Sequence, residues 1–157
     1  MSDTNDVAAE ARSLIEQAGR AYLGSLAVRG AEVFPFVSLV LPGLDGAGRP
    51  LLLLSDLSDH AKNLKADPKA SLLYDGTLGL KEPLSGARVT LIGRVSLADD
   101  AGNRKLYLTR QPSAEIYAGF GDFKLYRFDI EEALFVAGFG RIHRMSADEV
   151  CAAAEAI

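Results

Sequence analysis

Leu51-Leu52-Leu53-Leu54-Ser55-Asp56-Leu57-Ser58-Asp59-His60-Ala61-Lys62-Asn63-Leu64 is the stretch on which the reading of the fold turns. Four leucines in a row, bounded by turn-forming residues, describe a strand buried on both faces. Ser58 is placed to cap a helix and Pro68 marks its end, so a short helix over 58–67 follows the strand across a brief loop. A helix N-terminus presents unpaired N–H groups and the positive end of the dipole. Ser55, Ser58, His60 and Lys62 add hydroxyl or cationic donors around it, which describes an anion site. The plainer alternative is that Ser58 only caps the helix while His60 and Lys62 are solvated, and caps are far commoner than ligand sites. Asp56 and Asp59 weaken the local positive field.

Outward from this stretch the chain is rich in strands. Val7, Ala11, Leu14, Ile15 and Ala18 fall at helical spacing, with Gly19 able to end that helix in the left-handed conformation. Two β-rich runs, 21–28 and 33–41, flank a hairpin turn at 29–32, and a glycine- and proline-rich turn over 42–50 leads into the leucine strand. A strand at 70–75, a loop at 76–86 and an alternating strand at 87–95 follow, the last with Arg88, Thr90 and Ile92 on one face. Helical stretches at about 99–110 and 113–117 precede a long β segment over 123–139. Ser146-Ala147-Asp148-Glu149 forms a capping box for a final helix. Strands outnumber helices and do not alternate with them, which excludes a doubly wound parallel sheet. The expected architecture is a mainly β (α+β) antiparallel barrel with peripheral helices, in one domain over 1–157, with closure removing exposed strand edges.

Composition narrows the function classes. A hydrophobic share of 48% and a charged share of 24% match a soluble globular domain rather than a disordered chain. The formal charge of −4 argues against a nucleic-acid surface, which needs a basic footprint. No run approaches the roughly 20 apolar residues of a membrane span. The start, Met-Ser-Asp-Thr-Asn-Asp, lacks the regions of a signal peptide, so a cytoplasmic location is expected. Cys151 is the sole cysteine, and His60 and His143, the only histidines, are far apart in sequence. Neither a disulfide framework nor a protein metal cage is expected.

Leu53-Leu54-Ser55, then Ser58-Asp59-His60-Ala61-Lys62-Asn63-Leu64 and Asp67-Pro68-Lys69-Ala70-Ser71-Leu72-Leu73, resemble the FMN-binding segment of the pyridoxamine phosphate oxidase family. The resemblance puts Ser55 and Ser58 against the flavin phosphate or ring, with His60 and Asn63 in the same cofactor segment. Asp59 and His60 stand where the oxidases carry Arg-Lys. Pro35-Phe36-Val37-Ser38-Leu39-Val40 is similar to the barrel strand under the isoalloxazine ring, which implies flavin contacts from Ser38, Leu39 and Val40. Ala87-Arg88-Val89-Thr90-Leu91-Ile92-Gly93-Arg94 is similar to a strand whose glutamine reaches the flavin pyrimidine edge, and Arg88 takes that position. Phe135-Val136-Ala137-Gly138-Phe139-Gly140-Arg141-Ile142-His143-Arg144-Met145 is similar, without a gap, to the family's C-terminal string. It implies Phe135 beside the flavin and Arg141 and His143 facing a substrate. For these residues the plain alternatives are a surface ion pair for Arg88, core packing for Phe135, and a solvated chain exit for Arg141 and His143.

Gly121-Asp122-Phe123-Lys124-Leu125-Tyr126-Arg127-Phe128, Gly138-Phe139-Gly140-Arg141 and Leu54-Ser55-Asp56-Leu57-Ser58-Asp59-His60 look most like the haem-utilisation (HugZ-like) branch, and the resemblance runs from about Ala11 to Arg144. It implies an FMN-binding split barrel that forms a homodimer with the cofactor at the subunit interface. The first functional expectation is an FMN-dependent oxidoreductase acting on a small molecule, with pyridoxamine phosphate disfavoured because Tyr107 and Arg110 are one residue too close for the oxidase pattern. The alternative is a non-catalytic flavin- or haem-binding protein for haem utilisation, storage or sensing. A third is a fold retained as a structural dimer.

Overall fold

The leucine run does form a strand buried on both sides, because the sheet it joins separates two apolar layers. A computed structural model describes residues 4–152. The elements in chain order are α1 (Thr4–Gln17), β1 (Ala21–Arg29), β2 (Glu32–Val40), β3 (Gly43–Leu44), β4 (Pro50–Ser55) and α2 (Asp59–Ala66). They continue with β5 (Lys69–Asp75), β6 (Arg88–Leu97), α3 (Ala101–Arg110), α4 (Glu115–Ala118), β7 (Phe123–Val136), β8 (Ile142–Ser146) and α5 (Ala147–Ala152). Every strand pair among them is antiparallel, in the order β2-β1-β5-β6-β7-β4-β3, with β8 also on β7.

The long β7 organises this sheet. One of its edges carries β6 along nearly its whole length, while the other is shared by β4 against 123–127 and β8 against 132–136. A register shift between Ile92 and Gly93 bends β6, and Gly93 is required there because a Cβ would strike the carbonyl of Asp129. On the inner face, Tyr74, Val89, Leu91, Phe128, Ala133 and Phe135 pack against Val7, Ala11 and Ile15 of α1 and Val150 of α5. Leu52 and Leu54 join this core, while Leu51 packs on the other side of the sheet with Tyr107, Ala114 and Leu125. Burial of each such side chain contributes about 1.5–3 kcal/mol.

The structure corrects several expectations. No ladder among the described residues joins β2 to β3, so the sheet is split and does not close into a barrel. The β1–β2 hairpin meets β5 only over Tyr22–Gly24, and α2 packs against β1. The long β segment stops at Val136, and Gly138 (φ 131°) and Gly140 (φ 69°) turn the chain back into β8 instead of letting it exit. Gly19 is not left-handed, and α1 ends at Gln17. The Ser146 capping box forms, with the Glu149 N–H donating to Ser146 Oγ at 3.2 Å.

The outer face of β2, β1, β5 and β6 is apolar and uncovered. Register places Leu39, Tyr22, Leu73 and Thr90 in one row and Val37, Gly24, Ser71 and Ile92 in the next. Val37 is 69% and Leu39 60% exposed, and Val28, Val33 and Ile92 are also exposed on this face. No helix among the described residues is long and apolar enough to cross a membrane.

Candidate functional site

The end of β2, the C-terminal half of β4 and the start of α2 converge on an open pocket of about 390 Å³. Leu39, Val40 and Leu41 line one wall and Leu52, Leu53 and Leu54 another; Tyr107, Tyr117 and Phe123 supply aromatic surface, and Ser55, Ser58 and His60 the polar end. The pocket is thus apolar with a few convergent polar groups, as small-molecule sites are. The Tyr117 and Phe123 rings pack with centroids 4.8 Å apart, tilted 42° to one another. Tyr107 is held by its hydroxyl, which donates to the Leu41 carbonyl at 2.7 Å, and burial pushes its phenol pKa upward.

Local sequence explains the polar end. Ser58 has extended backbone (φ −78°, ψ 151°) and caps α2, its Oγ accepting from the Ala61 N–H at 3.3 Å and donating to the Ser55 carbonyl at 2.6 Å. Ser55 Oγ donates to an Asp122 carboxylate oxygen at 2.6 Å and accepts from the Leu57 N–H at 3.2 Å. Both hydroxyl protons are therefore committed within the protein. Asp56 lies beside them, paired with Lys124 at 2.8 Å and Lys65 at 3.3 Å. The hydrogen bond from Lys124 is the main influence holding its carboxyl below the usual carboxylate range. His60 is half-buried, and that burial lowers its pKa, with Asp59 opposing the shift. The shift favours the neutral imidazole, which keeps a lone pair on one ring nitrogen.

Of the residues singled out from sequence, Leu39, Val40, Ser55, Ser58 and His60 line this pocket together. The others stand elsewhere. Asn63 is buried and donates to Ser25 Oγ at 3.1 Å, tying α2 to β1. Ser38 shares a face of β2 with Val40, and its Oγ is buried without a partner among the described residues. Arg88 donates to the carbonyls of Leu84 at 3.1 Å and Gly86 at 3.4 Å. Phe135 is completely buried in the core, and His143 lies directly opposite it across the β7–β8 ladder, with a buried Nε2 that has no partner among the described residues. Arg141 is exposed in the turn between those strands. Tyr107, Tyr117 and Phe123 were not anticipated, since no local spacing announces that α3, α4 and β7 meet the end of β2. Among the described residues no group of three His, Cys, Asp or Glu side chains is arranged to hold a metal ion.

Comparison with known proteins brings a consistent set of relatives. The family model described as CREG, beta-barrel matches residues 2–151. The chain is 37% identical over 110 residues to the non-canonical heme oxygenase HOZ, chloroplastic, of Arabidopsis thaliana, covering 68% of this chain and 33% of that protein. It is 27% identical over 138 residues to the heme oxygenase HutZ of Vibrio cholerae, covering 72% of this chain and 76% of that one. Among solved structures, a heme binding protein from Mycobacterium smegmatis superposes with a TM-score of 0.85 at 30% identity, over 93% of this chain and 60% of that chain. A Clostridium acetobutylicum protein of the pyridoxinephosphate oxidase family shares the fold at a TM-score of 0.70 and 16% identity, over 93% of this chain and 98% of that one. The chain thus spans about a third of the Arabidopsis protein and 60% of the mycobacterial one.

Proposed function

This chain belongs to the CREG β-barrel family, on the split-barrel fold of the pyridoxamine phosphate oxidases, and from that premise we propose that it binds haem in the pocket between β2, β4 and α2. The observation that carries the reading is the place of His60, a half-buried imidazole at the polar end of a pocket walled by leucines and aromatic rings, where burial favours its neutral form. A neutral imidazole suits iron, and the apolar walls suit a macrocycle. Three relatives with haem in their names, from a plant and two bacteria, support it. Bound haem would supply redox and dioxygen chemistry. This chain's residues would hold the iron through His60 and pack the ring with Leu53, Tyr117 and Phe123.

The FMN-dependent oxidoreductase reading is weaker on the same geometry. A flavin phosphate needs free donors or cations. Here the protons of Ser55 and Ser58 are committed and the Asp122 carboxylate already occupies Ser55. The Arg88 guanidinium faces backbone carbonyls of the 84–86 segment.

We further infer a homodimer built on the outer face of β2, β1, β5 and β6. Leu39 belongs both to that exposed apolar face and to the pocket lining, so a second copy seated there would wall the open side of the pocket. Small-molecule ligands are ordinarily 70–90% enclosed, which an open pocket in one chain does not achieve.

Haemin titration followed by the Soret band, with FMN titrated in parallel by fluorescence quenching, tests the assignment. Saturable haemin binding that His60→Ala weakens at least tenfold, equivalent to about 1.4 kcal/mol, is expected. Tight FMN binding with no saturable haemin binding refutes it. Decay of the Soret band on adding a reductant in air would mark turnover, and persistence would mark storage or transfer.

A further inference from the structure

A second cavity, of about 280 Å³, lies between α1, the 45–48 turn and the end of α3, and is lined by Arg12, Glu16, Asp45, Gly48 and Arg110 among others. We propose that it is a binding site for a small oxyanion, a carboxylate or phosphate group held by the guanidinium groups of Arg12 and Arg110.

Arg12 is the foundation of the argument. It is 1% exposed, a rare state for a charged side chain. A guanidinium has five N–H donors. Among the described residues Nε donates to Glu16 Oε1 at 3.3 Å and Nη1 to the Gly48 carbonyl, and no acceptor meets the rest. Burying a cation with surplus donors is costly unless they find partners. The turn is shaped around this group: Gly48 has φ 81°, and a Cβ there would come within 2.5 Å of Arg12 Nη2.

Among the described residues the charge balance leaves the cavity positive. Asp45 is already neutralised, its carboxylate accepting from the Arg49 side chain at 2.9 Å and from the N–H groups of Ala47 and Arg49 at 2.9 Å each. Glu16 offsets one of the two remaining cations. Arg110 is exposed at the rim and makes no side-chain hydrogen bond or ion pair among the described residues. Among the described residues two guanidiniums and one unneutralised carboxylate line this cavity and leave it net positive, and the planar fork of a guanidinium matches a carboxylate or phosphate group. The volume falls just below the roughly 300 Å³ at which drug-sized sites begin, so the fit is to a small anion. This cavity and the proposed haem pocket share no lining residue: Tyr107 lines one and Arg110, one helical turn on, the other.

The test is backbone amide NMR of the whole chain titrated separately with inorganic phosphate, succinate and chloride at matched ionic strength. Saturable shifts at Gly46, Ala47 and Gly48 with phosphate or succinate, at a dissociation constant of about 1 mM or below, are expected, and the better of the two identifies the anion class. Arg110→Gln should weaken binding about tenfold with the melting temperature unchanged. Arg12→Gln should abolish binding, and if that variant does not fold, Arg110→Gln decides alone. Equal shifts with chloride, no saturation with either oxyanion, or unchanged affinity in Arg110→Gln overturns the proposal. Loss of haemin binding in the preceding test would leave it standing.

Discussion

Replacing Ser58 by Ala separates a structural hydroxyl from a ligand-binding one. The substitution removes two bonds, the cap to the Ala61 N–H at 3.3 Å and the bond to the Ser55 carbonyl at 2.6 Å. Loss of an N-cap costs about 1 kcal/mol. The second bond contributes about 0.5–1.5 kcal/mol, toward the lower end here because Ser58 is only partly buried and water can replace part of it. The sum is about 1.5–2 kcal/mol, which for a chain of this size lowers the melting temperature by about 3–8 °C. Thermal unfolding followed by circular dichroism reads the shift, and haemin titration below the transition reads the site. The expected result is a lower melting temperature with haemin affinity within about twofold of wild type. An unchanged melting temperature would mean that the cap does not form. A normal melting temperature with a large loss of ligand would mean that the hydroxyl is free for the ligand, and the case against a phosphate seat at Ser55 and Ser58 would fail.

Because burial lowers the His60 pKa, the folded state resists protonation there more than the unfolded chain does. Stability from this residue is therefore complete above its unfolded pKa near 6.5 and declines as pH falls through the lower folded value. Haemin affinity should decline over the same acid range in wild type but not in His60→Ala, as a titration series below pH 7 will show. Gly93→Ala drives a Cβ into the Asp129 carbonyl at the β6 bulge, and such overpacking costs about 1–3 kcal/mol, a melting loss of about 2–12 °C. Gly119→Ala, with open space around it, serves as the control and should stay within about 0.5 kcal/mol; equal melting points for the two would contradict the bulge geometry. Val37→Asp places a charge on the uncovered β face and, if the proposed homodimer forms there, should give a folded monomer by light scattering with the wild type running as a dimer. Identical masses for the two would count against the proposed interface.

Local features of this protein were legible from sequence because local physics produces them. The Ser58 cap, the hairpin around Gly30 and the Ser146–Glu149 box each depend on residues within four positions of one another, and all three form. The leucine run announced burial on both faces, and the motif resemblance led to the split-barrel fold and to five residues of one pocket. What lay beyond sequence was set by long-range pairing. Whether the sheet closes depends on whether its two end strands, β2 and β3, meet, and no ladder joins them among the described residues, so the sheet stays open with an apolar face uncovered. Ser55 looked like a free donor until Asp122, 67 positions away, arrived to take its proton. Tyr107, Tyr117 and Phe123 enter the pocket only because α3 and β7 pack against β4. Arg12 fell on a helix with no sign that a turn 36 residues later would bury it. Hydrogen-bond donors and charges act over a few ångströms, so their roles were decided by which distant segments the packed sheet brought within that range.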